Sequence, residues 1–141
     1  MKRIIIAVLC ALGLVSALDA QEKKGVMTLS SKEFKTKVFY ISAKNPEYLG
    51  SKPAIVDFYA SWCGPCRAIS PVLEELAKEY GDKIVIYKVD VDASRDIAQA
   101  FGIRSIPAVL FIPMKGEAQM TVGGRSKEDF KKQIDTILLG K

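Results

Sequence analysis

The sequence predicts an α/β domain: a mixed sheet of five strands with four helices on its two faces. Three observations predict it. Residues 54–60 form an almost wholly apolar run rich in β-formers, the pattern of a central strand buried on both faces. That run passes directly into a helical pattern, with Ile69, Val72, Leu73, Leu76, Ala77 and Tyr80 recurring at spacings of three and four. A second strand, residues 84–89, follows, and the strand–helix alternation continues. Two β–α–β units of this kind argue for parallel pairing.

The elements follow in order. Lys2 and Arg3 precede an uncharged run, residues 4–18. A basic start and a short apolar core are the layout of a secretory signal peptide, expected over residues 1–20. The run is shorter than the ~20 apolar residues a membrane-spanning helix needs. Candidate cuts follow Ala17 or Ala20. Cys10 is read as leader, because the residue before it is Leu9 and the apolar run continues past it. Residues 21–25 are polar and form a flexible lead-in. The domain then occupies residues 26–141.

Residues 26–29 read as a short strand. Ser30 or Ser31 caps a helix to residue 39, with Phe34 and Val38 inward. Residues 42–52 read as loop, marked by Asn45-Pro46 and Gly50. The long helix after the central strand has proline within its pattern at Pro71, where a kink is expected. Gly81 is its C-cap. Ser94 is the N-cap of a helix that closes at Phe101-Gly102. Residues 108–112 are a strand. Met114-Lys115-Gly116-Glu117 turns into a strand over residues 119–122. Ser126 caps the last helix, whose Phe130, Ile134, Ile137 and Leu138 face the core.

The chain has 141 residues, 49% of them hydrophobic, which suits one domain with an ordinary core. Its net charge is +5, but Lys and Glu are interspersed and no basic run is interleaved with aromatics. A nucleic-acid partner is therefore not expected.

The chemistry concentrates at Trp62-Cys63-Gly64-Pro65-Cys66, where the central strand hands over to the helix. The first turn of a helix carries unpaired N–H groups and the positive end of the macrodipole. A thiolate there is stabilised, so Cys63 is the expected nucleophile. Cys66 lies one turn on, placed to attack a mixed disulfide at Cys63. Pro65 is tolerated in the first turn. As a structural staple the pair would contribute little. A bridge closing four residues constrains the unfolded chain by about 2 kcal/mol, against about 3 for a 15-residue loop. A structural zinc site needs four ligands, and this chain has no histidine and only one further cysteine. No metal is expected.

Asp57 interrupts the apolar strand. A buried carboxylate is costly unless paired. It is either held structurally or kept as a proton acceptor for Cys66, a role no histidine is present to fill. Trp62 reads either as core or as an exposed platform for substrate.

These residues resemble the thioredoxin family. The resemblance rests on Val56-Asp57-Phe58-Tyr59-Ala60, Trp62 to Cys66, Pro71, Ile103-Arg104-Ser105-Ile106-Pro107 and Val122-Gly123, and covers roughly residues 26–140. It implies the thioredoxin fold, with four helices around a mixed five-stranded sheet, and a redox-active Cys63–Cys66 disulfide. It implies that Asp57 is the proton acceptor, with Lys88 near it on the neighbouring strand. It implies a cis bond at Pro107, facing the redox pair, with the adjoining backbone pairing to substrate. Trp62, Gly64, Pro65, Ile106, Pro107 and Gly123 then form the substrate surface.

The expected function is a secreted thiol–disulfide oxidoreductase, periplasmic if the signal is bacterial, that reduces protein disulfides. It needs no organic cofactor. Its electrons come from a reductase or a transmembrane donor, and a monomer is expected. A membrane contact is expected only if the leader is retained. The alternatives are a membrane-tethered dedicated reductant, as in cytochrome c maturation, and a redox-inert binding module on the same scaffold.

Overall fold

The computed structural model describes residues 25–42 and 44–141. The predicted signal peptide, Cys10 and most of the lead-in lie outside the described residues.

Strand β1 (Met27–Thr28) is followed by helix α1 (Ser31–Lys37), and a short hairpin of β2 (Phe39–Ile41) and β3 (Pro46–Tyr48) comes next. Then come β4 (Ala54–Tyr59), α2 (Gly64–Tyr80), β5 (Val85–Asp90), α3 (Arg95–Ala100), β6 (Ala108–Ile112), β7 (Gln119–Val122) and α4 (Lys127–Gln133). The last helix ends in a wider π-type turn, Ile134–Leu138. The main sheet has five strands in the order β1-β5-β4-β6-β7. β4 pairs parallel to β5 and antiparallel to β6, so the sheet is mixed and β4 is central.

The register decides which face each residue of β4 serves, because side chains alternate along a strand. Ala54, Val56 and Phe58 join Phe34, Val38, Phe39 and Ile97 in one core cluster. Ile55 joins Ile69, Leu73, Leu76, Phe130 and Ile134 in the other, under α2 and α4. Asp57 and Tyr59 share the second face with Ile55. They lie nearer the C-terminal end of the strand, where α2 begins.

The caps follow the sequence. Ser30 and Glu33 form a reciprocal capping box, and the Ser126 hydroxyl accepts the Asp129 N–H. Gly81 takes φ 51° at the end of α2, a left-handed value that favours glycine. Helix α2 runs through Pro71 as one element of 17 residues. Ser94 precedes α3 as expected, but its side chain makes no capping bond; its backbone N–H donates to the Asp90 carbonyl instead.

Two expectations are corrected. Helix α1 stops at Lys37, and residue 39 begins a strand. Part of the supposed loop 42–52 is the second strand of that hairpin, with Phe39 opposite Tyr48 and Ile41 opposite Pro46. The cause is tertiary. The Phe39 ring packs against Phe34, Tyr48 and Phe101, with centroids 6.0, 5.6 and 5.3 Å away. Val38-Phe39-Tyr40-Ile41 is a run of β-formers that could have signalled the strand. A proline at the end of a short two-stranded edge is compatible with pairing, since its missing N–H can face away from the ladder.

Candidate active site

The site sits where β4 ends and α2 begins. Cys63 is the N-cap of α2, with extended backbone, and its Sγ accepts the Cys66 N–H at 3.2 Å. No acidic residue occupies the first turn. Backbone donor and helix dipole therefore act on the Cys63 sulfur unopposed from within the helix. The two sulfurs are bonded, with Cα atoms 5.3 Å apart. Cys63 and Cys66 are only 4% and 3% exposed, packed with Ala60 and flanked by Tyr59, Val91 and Ile106. Gly64 and Pro65 are exposed at the mouth. We expect iodoacetamide to label Cys63 of the reduced protein near neutral pH well before Cys66, read by mass spectrometry of the peptides. Equal rates, or the reverse order, would remove the assignment of roles.

Trp62 stands out of the surface, 67% exposed, so the core reading is wrong for it. Its indole N–H donates to Asp92 Oδ2 at 2.8 Å, and Asp92 is itself held by a backbone N–H bond to Asp90 Oδ1 at 2.8 Å. Asp92 is a contact that the sequence did not reveal. Nothing in the spacing of residues 90–92 connects them to Trp62.

The Ile106–Pro107 bond is cis. Pro107 is buried and its carbonyl accepts the Gly123 N–H at 2.8 Å. That carbonyl is therefore occupied by the chain itself. Ile106, beside it, packs on the cysteines. Gly123 has φ 93°, and a Cβ built there would meet nothing within 4 Å. The glycine is required by its backbone conformation, and the space above it is open to a partner.

Behind the pair, Asp57 is 2% exposed. It lines a cavity of about 270 Å³ with Tyr59, Ala60, Ser61, Cys66, Arg67, Ser70 and Lys88. Lys88 is its direct neighbour across the β4–β5 pairing. Asp57 Oδ1 has no hydrogen-bond partner among the described residues. Burial pushes its carboxyl up to about 7, although the Lys88 charge pulls the other way. A carboxyl of that acidity beside a thiol is suited to exchange a proton with it near neutral pH. Both groups line the same cavity. Among the described residues no cluster of three or more potential metal ligands occurs.

A buried disulfide at a helix N-terminus, a carboxyl behind it and a cis-proline beside it define a thiol–disulfide exchange centre. The thioredoxin family model matches residues 25–136, and the chain belongs to the thioredoxin family. It is 43% identical over 109 residues to the thioredoxin of Borreliella burgdorferi, a match covering 77% of this chain and 93% of that one. It is 44% identical over 91 residues to the chloroplastic M-type thioredoxin of Pisum sativum, covering 64% of this chain and 53% of the relative. Chloroplastic thioredoxin z, in its crystal structure, superposes with a TM-score of 0.68 at 25% identity, covering 80% of this chain and 94% of that one. The protein is a thioredoxin-type disulfide oxidoreductase, and the sheet and helices described above are the thioredoxin fold.

Proposed function

We propose that this protein reduces protein disulfides outside the cytoplasm. Cys63 attacks one sulfur of the substrate disulfide, forming a mixed disulfide and releasing the other as a thiol. Cys66 gives its proton to Asp57 and attacks Cys63 Sγ. The substrate leaves as a dithiol, and Cys63–Cys66 is left oxidised. A reductase or transmembrane donor returns the two electrons. Lys88 sets the charge around Asp57, while Trp62, Gly64, Pro65, Ile106, Pro107 and Gly123 receive the substrate strand.

The observation that carries the reducing direction is the chemistry between the cysteines. Gly64 and Pro65 bring no positive side chain, and no histidine exists in the chain to stabilise the Cys63 thiolate further. A less stabilised thiolate means a less stabilised reduced form, hence a more reducing couple. Equilibration against glutathione buffers should give a potential near the thioredoxin value of about −270 mV. A couple near the about −120 mV of a strong oxidase would overturn the reductase reading. Catalysis of insulin disulfide reduction by dithiothreitol should accompany the low potential, and an inert protein would be a binding module instead.

Export rests on Lys2-Arg3 and the apolar run that follows. Among the described residues no helix is long and apolar enough to cross a membrane. N-terminal sequencing of the native protein should return Leu18 or Gln21 from a soluble extracytoplasmic fraction. Met1 or Lys2 recovered from membranes would refute cleavage and favour a tethered reductant.

A further inference from the structure

Tyr59 follows Asp57 by two residues on β4 and therefore shares its face of the sheet. The Lys88 ammonium lies over the Tyr59 ring, 4.2 Å from the centroid. That is well inside the roughly 6 Å at which a ring face attracts a cation. Lys88 is also the residue paired with Asp57 across the strands, so the same ammonium has two possible partners. Among the described residues no ion pair joins it to Asp57, and Asp57 Oδ1 is left without a hydrogen bond. We propose that the Tyr59 ring is a positioning residue for thiol–disulfide exchange: it holds the Lys88 ammonium on its face and so keeps that cation from closing an ion pair with Asp57.

The consequence for the reaction is direct. A carboxylate in a full ion pair is a poor proton acceptor, because the neighbouring cation favours its charged form. With the ammonium on the ring, Asp57 stays basic enough to take the Cys66 proton, which then leaves Cys66 as the thiolate that attacks Cys63. Other groups around the carboxyl do not replace the ring in this role. From β5 comes Asp90, whose charge could also draw the ammonium, but its Oδ1 accepts the Asp92 and Ala93 N–H groups, and among the described residues no ion pair joins it to Lys88. From α2 come Cys66 and Arg67, and β6 presents the apolar Val109 opposite Asp57. Tyr59 is itself kept neutral near pH 7, since burial and the Asp90 and Asp57 charges all push its hydroxyl above the usual value.

The inference rests on Asp57 as proton acceptor, so its test reads the carboxyl separately from the rate. Asp57 of the oxidised full-length protein is titrated by carbon-13 NMR of its Cγ, and the pH profile of insulin reduction is recorded for the same variants. Tyr59→Phe keeps the ring face and should leave the Asp57 titration in place. Tyr59→Leu should lower the Asp57 pKa by about one unit, a tenfold change in its acidity. Pentafluorophenylalanine at position 59 keeps the ring's shape, reverses its attraction for a cation and should act like leucine, which covers the case that leucine misfolds. In a Lys88→Met background all three should titrate alike. Equal titration with Lys88 present, or equal shifts from phenylalanine and leucine, would overturn the proposal. A shift of Asp57 that the acid limb of the rate profile does not follow would leave the ring's hold on Lys88 standing and refute Asp57 as the acceptor.

Discussion

Cys63→Ser should abolish disulfide reduction, lowering the insulin rate on the order of a thousandfold or more, as loss of a covalent nucleophile does. Cys66→Ser should behave differently. Cys63 remains at the N-cap of α2 with the residue-66 N–H donating to its sulfur, so the first attack survives. The mixed disulfide then has no resolving thiol at one turn's distance. It should accumulate as a covalent complex that survives denaturation and is released by dithiothreitol. Non-reducing electrophoresis followed by mass spectrometry checks this and identifies the clients at once. If Cys63→Ser traps partners and Cys66→Ser does not, the two roles are exchanged.

Asp57→Asn should stabilise the oxidised protein at pH 8 and slow it as an enzyme. Burial is the main reason the folded carboxyl is pushed up to about 7, from 3.8 for a free aspartate. Between those two values the folded chain holds a proton that the unfolded chain has released. Stability therefore falls as pH rises through that window and is lowest above it, by on the order of 4 kcal/mol. Below pH 4 the group is protonated in both states and costs nothing by this route. Asparagine keeps the shape and cannot ionise, so it should remove the pH dependence. Urea unfolding at pH 4 and pH 8 checks it: the variant's advantage should be near zero at the first and several kcal/mol at the second. A gap independent of pH would mean that the carboxyl is not its source. Insulin reduction at pH 7 should fall by about a hundredfold, the lower range for loss of a general base. A residue that costs stability and sustains rate is one retained for function.

Much of this was legible in the chain. The run 54–60, the periodicity from Ile69 to Tyr80 and the serine caps before α1 and α4 determine strand and helices through local physics: alternation, helical spacing and side-chain capping. The redox pair at a strand-to-helix junction is legible for the same reason, since two cysteines three apart at a helix start need no distant residue to be understood. Asp57 betrayed itself as a charge in an apolar strand.

Other features needed the folded chain. The hairpin at β2 and β3 forms because Phe39 packs onto Tyr48, Phe34 and Phe101, the last 62 residues away in the chain, and this packing outweighs local turn signals. The Asp92 acceptor for Trp62 lies 30 residues away, and no period links them. The Tyr59 ring under Lys88 depends on the parallel register of β4 and β5, which sets which side chains share a face and at what height. Local rules act through the backbone of a few neighbouring residues. Register and ring packing are settled only when distant segments bury their surfaces together, and that is why the tertiary structure alone decided them.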